Sequence, residues 1–96
     1  MEKKIVLTML PSKDIDIAVN EKVKLTVSKD NRTVKADDIY RLLDYKVDDT
    51  YTVETVNENN LDVPVLKFFA DLLQDIVNRI CPKNNSEDVT FDELPF

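Results

Sequence analysis

The chain has 96 residues and not one is glycine. Glycine enters left-handed backbone without steric cost, so its absence removes every loop that depends on that freedom. A phosphate-cradling Walker loop, a dinucleotide fingerprint and an EF-hand turn are all excluded. Tight turns must be made by Asn and Asp, which tolerate the angles better than other residues with a Cβ. The chain also lacks His and Trp and holds a single Cys. That removes Ser-His-Asp and Cys-His catalysis, His-ligated metals, internal disulfides and Cys-based zinc sites. No enzyme activity and no cofactor are expected from what is left.

The length suits one domain with a modest core. Nineteen acids against 13 bases give a net charge of −6. No apolar run approaches the roughly 20 residues of a membrane span. The basic start Glu2-Lys3-Lys4 precedes only a short apolar stretch, Ile5 to Leu10, closed by Pro11, which reads as a strand and not as a signal peptide. A cytoplasmic protein with no membrane partner and no small-molecule substrate is expected. Cys81 beside Pro82 reads as a small core or rim residue.

Periodicity supplies the elements. Residues 4–10 are β-rich. Ile15, Ile17 and Val19 alternate with polar or small residues, as do Val23, Leu25 and Val27, with Asn20-Glu21 as the turn between them. Thr33 to Lys35 can return as a brief edge strand. Ile39, Leu42 and Leu43 then fall at helical spacing, with Asp37 as N-cap. Residues 50–56 alternate as a strand, and Asn57 to Asn60 form a loop. The clearest helix follows, capped by Asp62 with Pro64 in its first turn. Its apolar stripe is Val65, Phe69, Leu72, Leu73, Ile76 and Ile80. Residues 1–82 thus predict a single α+β domain, a small antiparallel sheet packed against one long and one short helix. Residues 83–96 predict a flexible acidic tail.

Three features bear on chemistry. The acid pairs Asp14/Asp16, Asp37/Asp38 and Asp48/Asp49 sit at turns and caps, where Asp is favoured for local hydrogen bonds, and they read as structural. Five bases, Lys22, Lys24, Lys29, Arg32 and Lys35, fall in the hairpin region, and a shared outer face would make a ridge able to track single-stranded DNA. Alternation would put Lys22, Lys24 and Lys35 on that face. The nearest aromatics are Tyr40 and Tyr45, on the short helix.

The third feature is the final run Phe91-Asp92-Glu93-Leu94-Pro95-Phe96, with Glu87 and Asp88 upstream. It resembles the C-terminal tip of bacterial single-stranded DNA-binding proteins, in which acids, an aliphatic residue and Pro-Phe end a flexible linker. Asp92 and Glu93 match the acids, Leu94 the aliphatic, Pro95 and Phe96 the last pair, and Phe91 an aromatic ahead of the acids. The acid run is short for that family, and the likeness covers about ten residues. The resemblance implies recruitment of helicases, primases, polymerase subunits or repair nucleases. A terminal Phe in an apolar pocket contributes about 1.5–3 kcal/mol. A basic rim would meet its carboxylate, Pro95 would keep the chain extended, and the acids would speed encounter, for a total of roughly −8 kcal/mol.

The expectation is therefore a small accessory protein of DNA replication or recombination, encoded by a phage or other mobile element. It would bind single-stranded DNA or a protein partner and recruit replication proteins through its tip. The competing expectation is an acidic DNA mimic that inhibits a host defence or DNA-processing enzyme. The two differ in where the acids lie: on the folded surface for a mimic, in the tail for recruitment.

Overall fold

The structure is a computed structural model and describes residues 1–80. Cys81 and the segment read as a tail lie outside the described residues. The elements run β1 (Glu2–Met9), β2 (Ile15–Val19), β3 (Lys22–Val27), α1 (Ala36–Leu43), β4 (Thr50–Val56) and α2 (Val63–Ile80). The four strands form one sheet in the order β3-β2-β1-β4. The α+β class is as read from the sequence.

Strands β1 to β3 form an antiparallel meander, with Leu7 opposite Ile17 and Ile15 opposite Val27. The turn between β2 and β3 holds Asn20 at φ 51° and Glu21 at φ 71°, both positive as a primed two-residue turn requires. Asn20 anchors it: its Oδ1 accepts from the Lys4 N–H at 3.0 Å, and its own N–H donates to the Lys4 carbonyl at 2.9 Å.

The fourth strand corrects the expected all-antiparallel sheet. β4 lies beside β1 and runs parallel to it, with Ile5 opposite Val53 and Leu7 opposite Thr55. The cause is α1. It carries the chain from the end of β3 back to the sheet's far edge, so β4 sets out in the direction of β3 and hence of β1.

Both helices cover one face. Ile5, Leu7, Met9, Ile15, Ile17, Val19, Val27 and Tyr51 point into it. They meet Ile39, Leu42 and Leu43 of α1 and Leu66, Phe69, Leu73, Ile76 and Val77 of α2. Each large apolar side chain buried there stabilises by about 1.5–3 kcal/mol before entropy is counted. The opposite face alternates Lys4, Val6, Thr8, Asp16, Ala18, Thr26, Thr52 and Glu54, and none of these is buried.

Three local expectations are corrected. Residues 33–35 form no strand: Lys29-Asp30 closes a turn with one bridge, Ser28 to Asn31, and the chain then runs on to the helix. The N-cap of α1 is Lys35, in extended backbone and without a side-chain cap; Asp37 and Asp38 lie in the first turn, where carboxylates favour the helix dipole. The buried face of α2 is rotated from the expected stripe. Leu66 and Val77 are buried, whereas Val65, Leu72 and Ile80 sit at its margin. The contact with β4 and β1 chooses the face, and the helix has enough apolar residues to satisfy more than one choice.

Candidate docking surface

The bulge between Ile17 and Ala18 governs the basic residues of β3. Ile17 pairs with Leu25 and Ala18 with Val23, which leaves Lys24 as the extra residue. Lys22 and Lys24 therefore line a hollow with Leu42, Leu43 and Asp44, on the side of the sheet that carries the helices. Lys29 and Arg32 lie beyond the other end of β3, about 17 Å away at strand spacing. Lys35 begins α1. The five bases expected to form one ridge are thus divided among three places.

Arg32 is occupied structurally. Its Nη2 donates to the Lys13 carbonyl at 2.8 Å and its Nη1 to that of Val27 at 3.5 Å, and it stands 3.7 Å from the Asp62 carboxylate. It braces the β1–β2 turn, the end of β3 and the start of α2 together.

Members of each acid pair have structural partners. Asp14 accepts from the Lys29 N–H at 2.9 Å and Asp16 from the Thr26 hydroxyl at 2.8 Å. Asp49 is buried and lies 2.9 Å from the Lys3 ammonium, while its Oδ2 accepts from the Lys46 N–H at 2.8 Å. The hydrogen bond from Lys3, then that from Lys46, holds its carboxyl below the usual carboxylate range. A hydrogen bond and the charge of Lys46 do the same for Asp44. Asp38, Glu54, Asp71 and Asp75 each lie within 3.4 Å of an Arg or Lys. No group of three or more acids or Cys among the described residues is arranged to hold a metal.

One surface was not legible beforehand. Phe68 is 62% exposed, the most exposed aromatic among the described residues. With Pro64, Val65 and Phe69 of α2 it forms an apolar hollow closed on the far side by Arg32. The signal lay in the doublet Phe68-Phe69. Adjacent helical residues diverge by 100°, so both cannot face the same core. Phe69 took the core, and Phe68 was left to solvent. The segment Phe91-Asp92-Glu93-Leu94-Pro95-Phe96 lies outside the described residues.

No protein family, curated protein or solved structure matches this chain.

Proposed function

We propose that this protein is a non-enzymatic accessory factor of DNA replication or recombination, carried by a phage or other mobile element, which recruits replication or repair proteins through residues 91–96. The observation that carries this reading is the order Asp92-Glu93-Leu94-Pro95-Phe96, acids followed by an aliphatic and Pro-Phe. Leu94, Pro95 and Phe96 suit an apolar pocket on a partner and the carboxylates suit its basic rim, a combination fitted to micromolar, salt-sensitive contact. The α+β unit serves as the carrier of that segment.

The charge distribution favours recruitment over DNA mimicry. A mimic needs carboxylates free at phosphate-like spacing, and seven of the fifteen acids in residues 1–80, Asp38, Asp44, Asp49, Glu54, Asp62, Asp71 and Asp75, each stand within 4 Å of a cation. Residues 83–96 hold four acids and one Lys. The division of the hairpin bases likewise favours a protein partner over a strand of DNA as the principal ligand, with Lys22 and Lys24 the remaining candidates for phosphate contact.

The test is capture from a bacterial lysate with the 96-residue chain and with Phe96→Ala. Helicases, primases, polymerase subunits or repair nucleases are expected on the first and missing from the second. An identical protein set on both would overturn the reading.

A further inference from the structure

The two edges of the sheet are unequal. β3 is defended against pairing: it carries Lys22 and Lys24, and the bulge at Lys24 breaks its line. β4, the other edge, has no Lys and no Pro. Its ladder with β1 runs without a register shift from Thr50 to Val56, and its one charge, Glu54, stands 3.4 Å from Lys4. Thr, Tyr and Val, which favour strands, fill the rest.

The bonding phase of this edge is fixed. The Thr50 N–H donates to the Met1 carbonyl at 2.9 Å, so Thr50 turns its backbone groups toward β1. Successive residues alternate, and Val53 and Thr55 turn theirs away from β1, out of the sheet's side. Beside them α2 returns over the strand and leaves a hollow lined by Thr55, Val63, Leu66, Lys67 and Ala70. Val63 is 45% exposed, so apolar surface continues from the strand onto the helix.

We infer that β4 is an interface with a second copy of this chain, the two β4 strands pairing antiparallel about a two-fold axis at Val53. The order Thr-Tyr-Thr-Val-Glu-Thr-Val suits its own reverse. Val53 lies opposite Val53 of the copy, and their N–H and C=O groups exchange two hydrogen bonds. Thr52 lies opposite Glu54 of the copy in the closer, non-hydrogen-bonded kind of pair, where its hydroxyl donates to the carboxylate. Thr50 lies opposite Val56. Centring the pairing on Glu54 instead would set two carboxylates face to face, so charge favours the axis at Val53. The ladder already made by β1 and β4 continues, and four strands become eight.

The helices fit the same axis. Val53 lies about 10 Å down β4 from Val56, and Ala70 about 10 Å along α2 from Val63. Ala70 therefore stands near the axis, where its small side chain lets the two α2 helices approach to about 8–10 Å. The association does not depend on the reading of residues 91–96.

The experiment follows the 96-residue chain by sedimentation equilibrium and amide hydrogen exchange over a range of concentrations. The mass should climb from 11.1 kDa toward twice that value, and exchange at the Val53 and Thr55 amides should slow with it. Thr52 is exposed, so its variants should keep the fold, as circular dichroism checks. Thr52→Lys, facing Glu54 of the copy, should tighten association about tenfold, and Thr52→Glu should weaken it by about as much. A mass of 11.1 kDa at every concentration up to about 1 mM would overturn the inference. A doubled mass with unchanged exchange would overturn it and move the association to another surface. Slow exchange at both amides in a monomer would overturn it and give the edge to another segment of the same chain. Equal association of the two Thr52 variants would overturn the pairing.

Discussion

The Lys3 ammonium lies 2.9 Å from the Asp49 carboxylate and donates at 2.9 Å to the carbonyl of Asp44. One side chain from the sheet thereby satisfies both a buried acid and the end of α1, whose Leu43 carbonyl also accepts from the Tyr51 hydroxyl at 2.8 Å. Removing Lys3 takes away the cation nearest that buried acid and leaves it the Lys46 N–H at 2.8 Å and the Met1 ammonium at 3.8 Å. Lys3→Met is expected to destabilise the fold far more than loss of an exposed pair such as Lys67–Asp71, which costs about 0.3–0.5 kcal/mol. Urea unfolding of the two variants side by side checks the order.

The same pair sets a pH dependence. Asp49 is held below its ordinary range, so it contributes stability above the unfolded carboxylate value and loses it as pH falls through the lower folded value. Melting temperature should therefore drop below about pH 4, and Asp49→Asn should flatten that part of the curve. A curve of unchanged shape in Asp49→Asn would refute the assignment.

The rotated face of α2 gives a contrast between neighbours. Leu73 is 1% exposed and Leu72 lies at the margin. Leu73→Ala should cost about 2–5 kcal/mol, whereas Leu72→Ala should cost nearer 1 kcal/mol. Leu73→Asp should unfold the protein and Leu72→Asp should leave it folded, by circular dichroism.

The turn at Asn20-Glu21 is open to improvement. Glu21 pays the left-handed steric cost of about 1–2 kcal/mol at φ 71°, without the local hydrogen bonds that help Asn. Glu21→Gly is expected to raise stability by roughly 0.5–1 kcal/mol after glycine's own entropy is deducted. Thermal unfolding reads the sign.

Binding of single-stranded DNA, where present, should follow Lys22 and Lys24 and not Arg32. Lys24→Glu should weaken it and reduce the salt slope by about 1. Arg32→Ala should lower the melting temperature, because it releases three segments that the guanidinium ties together. No binding at low salt by the unaltered protein would leave a module that binds protein alone.

The strands were readable because alternation of Ile15, Ile17 and Val19, or of Thr50 to Val56, reports a half-buried face directly. Strand direction was not. Period-two alternation is the same for parallel and antiparallel neighbours, and only the crossover through α1 decides it. The α2 stripe was readable as a stripe but not to the residue, because Leu66 and Val77 extend the apolar arc beyond what one contact can cover. The basic ridge fails for a local reason: the extra residue at Lys24 reverses the faces of the residues before it, so Lys22 turns to the helix side and Val23 to the open face. Arg32 carries no sequence mark that separates a surface charge from a brace.

The parallel seam also has a history in time. Glu2 pairs with Thr50 and Thr8 with Val56, so the first strand to leave the ribosome waits for one made some fifty residues later. Its other neighbour, β2, is complete by Val19 and needs only a short loop to close. The meander can condense while synthesis continues, and the β1–β4 edge with α2 over it closes last, since long loops must be ordered before their contacts reward them. Truncating Val53 should then quicken unfolding and leave the folding rate almost untouched, whereas truncating Ile17 should slow folding itself.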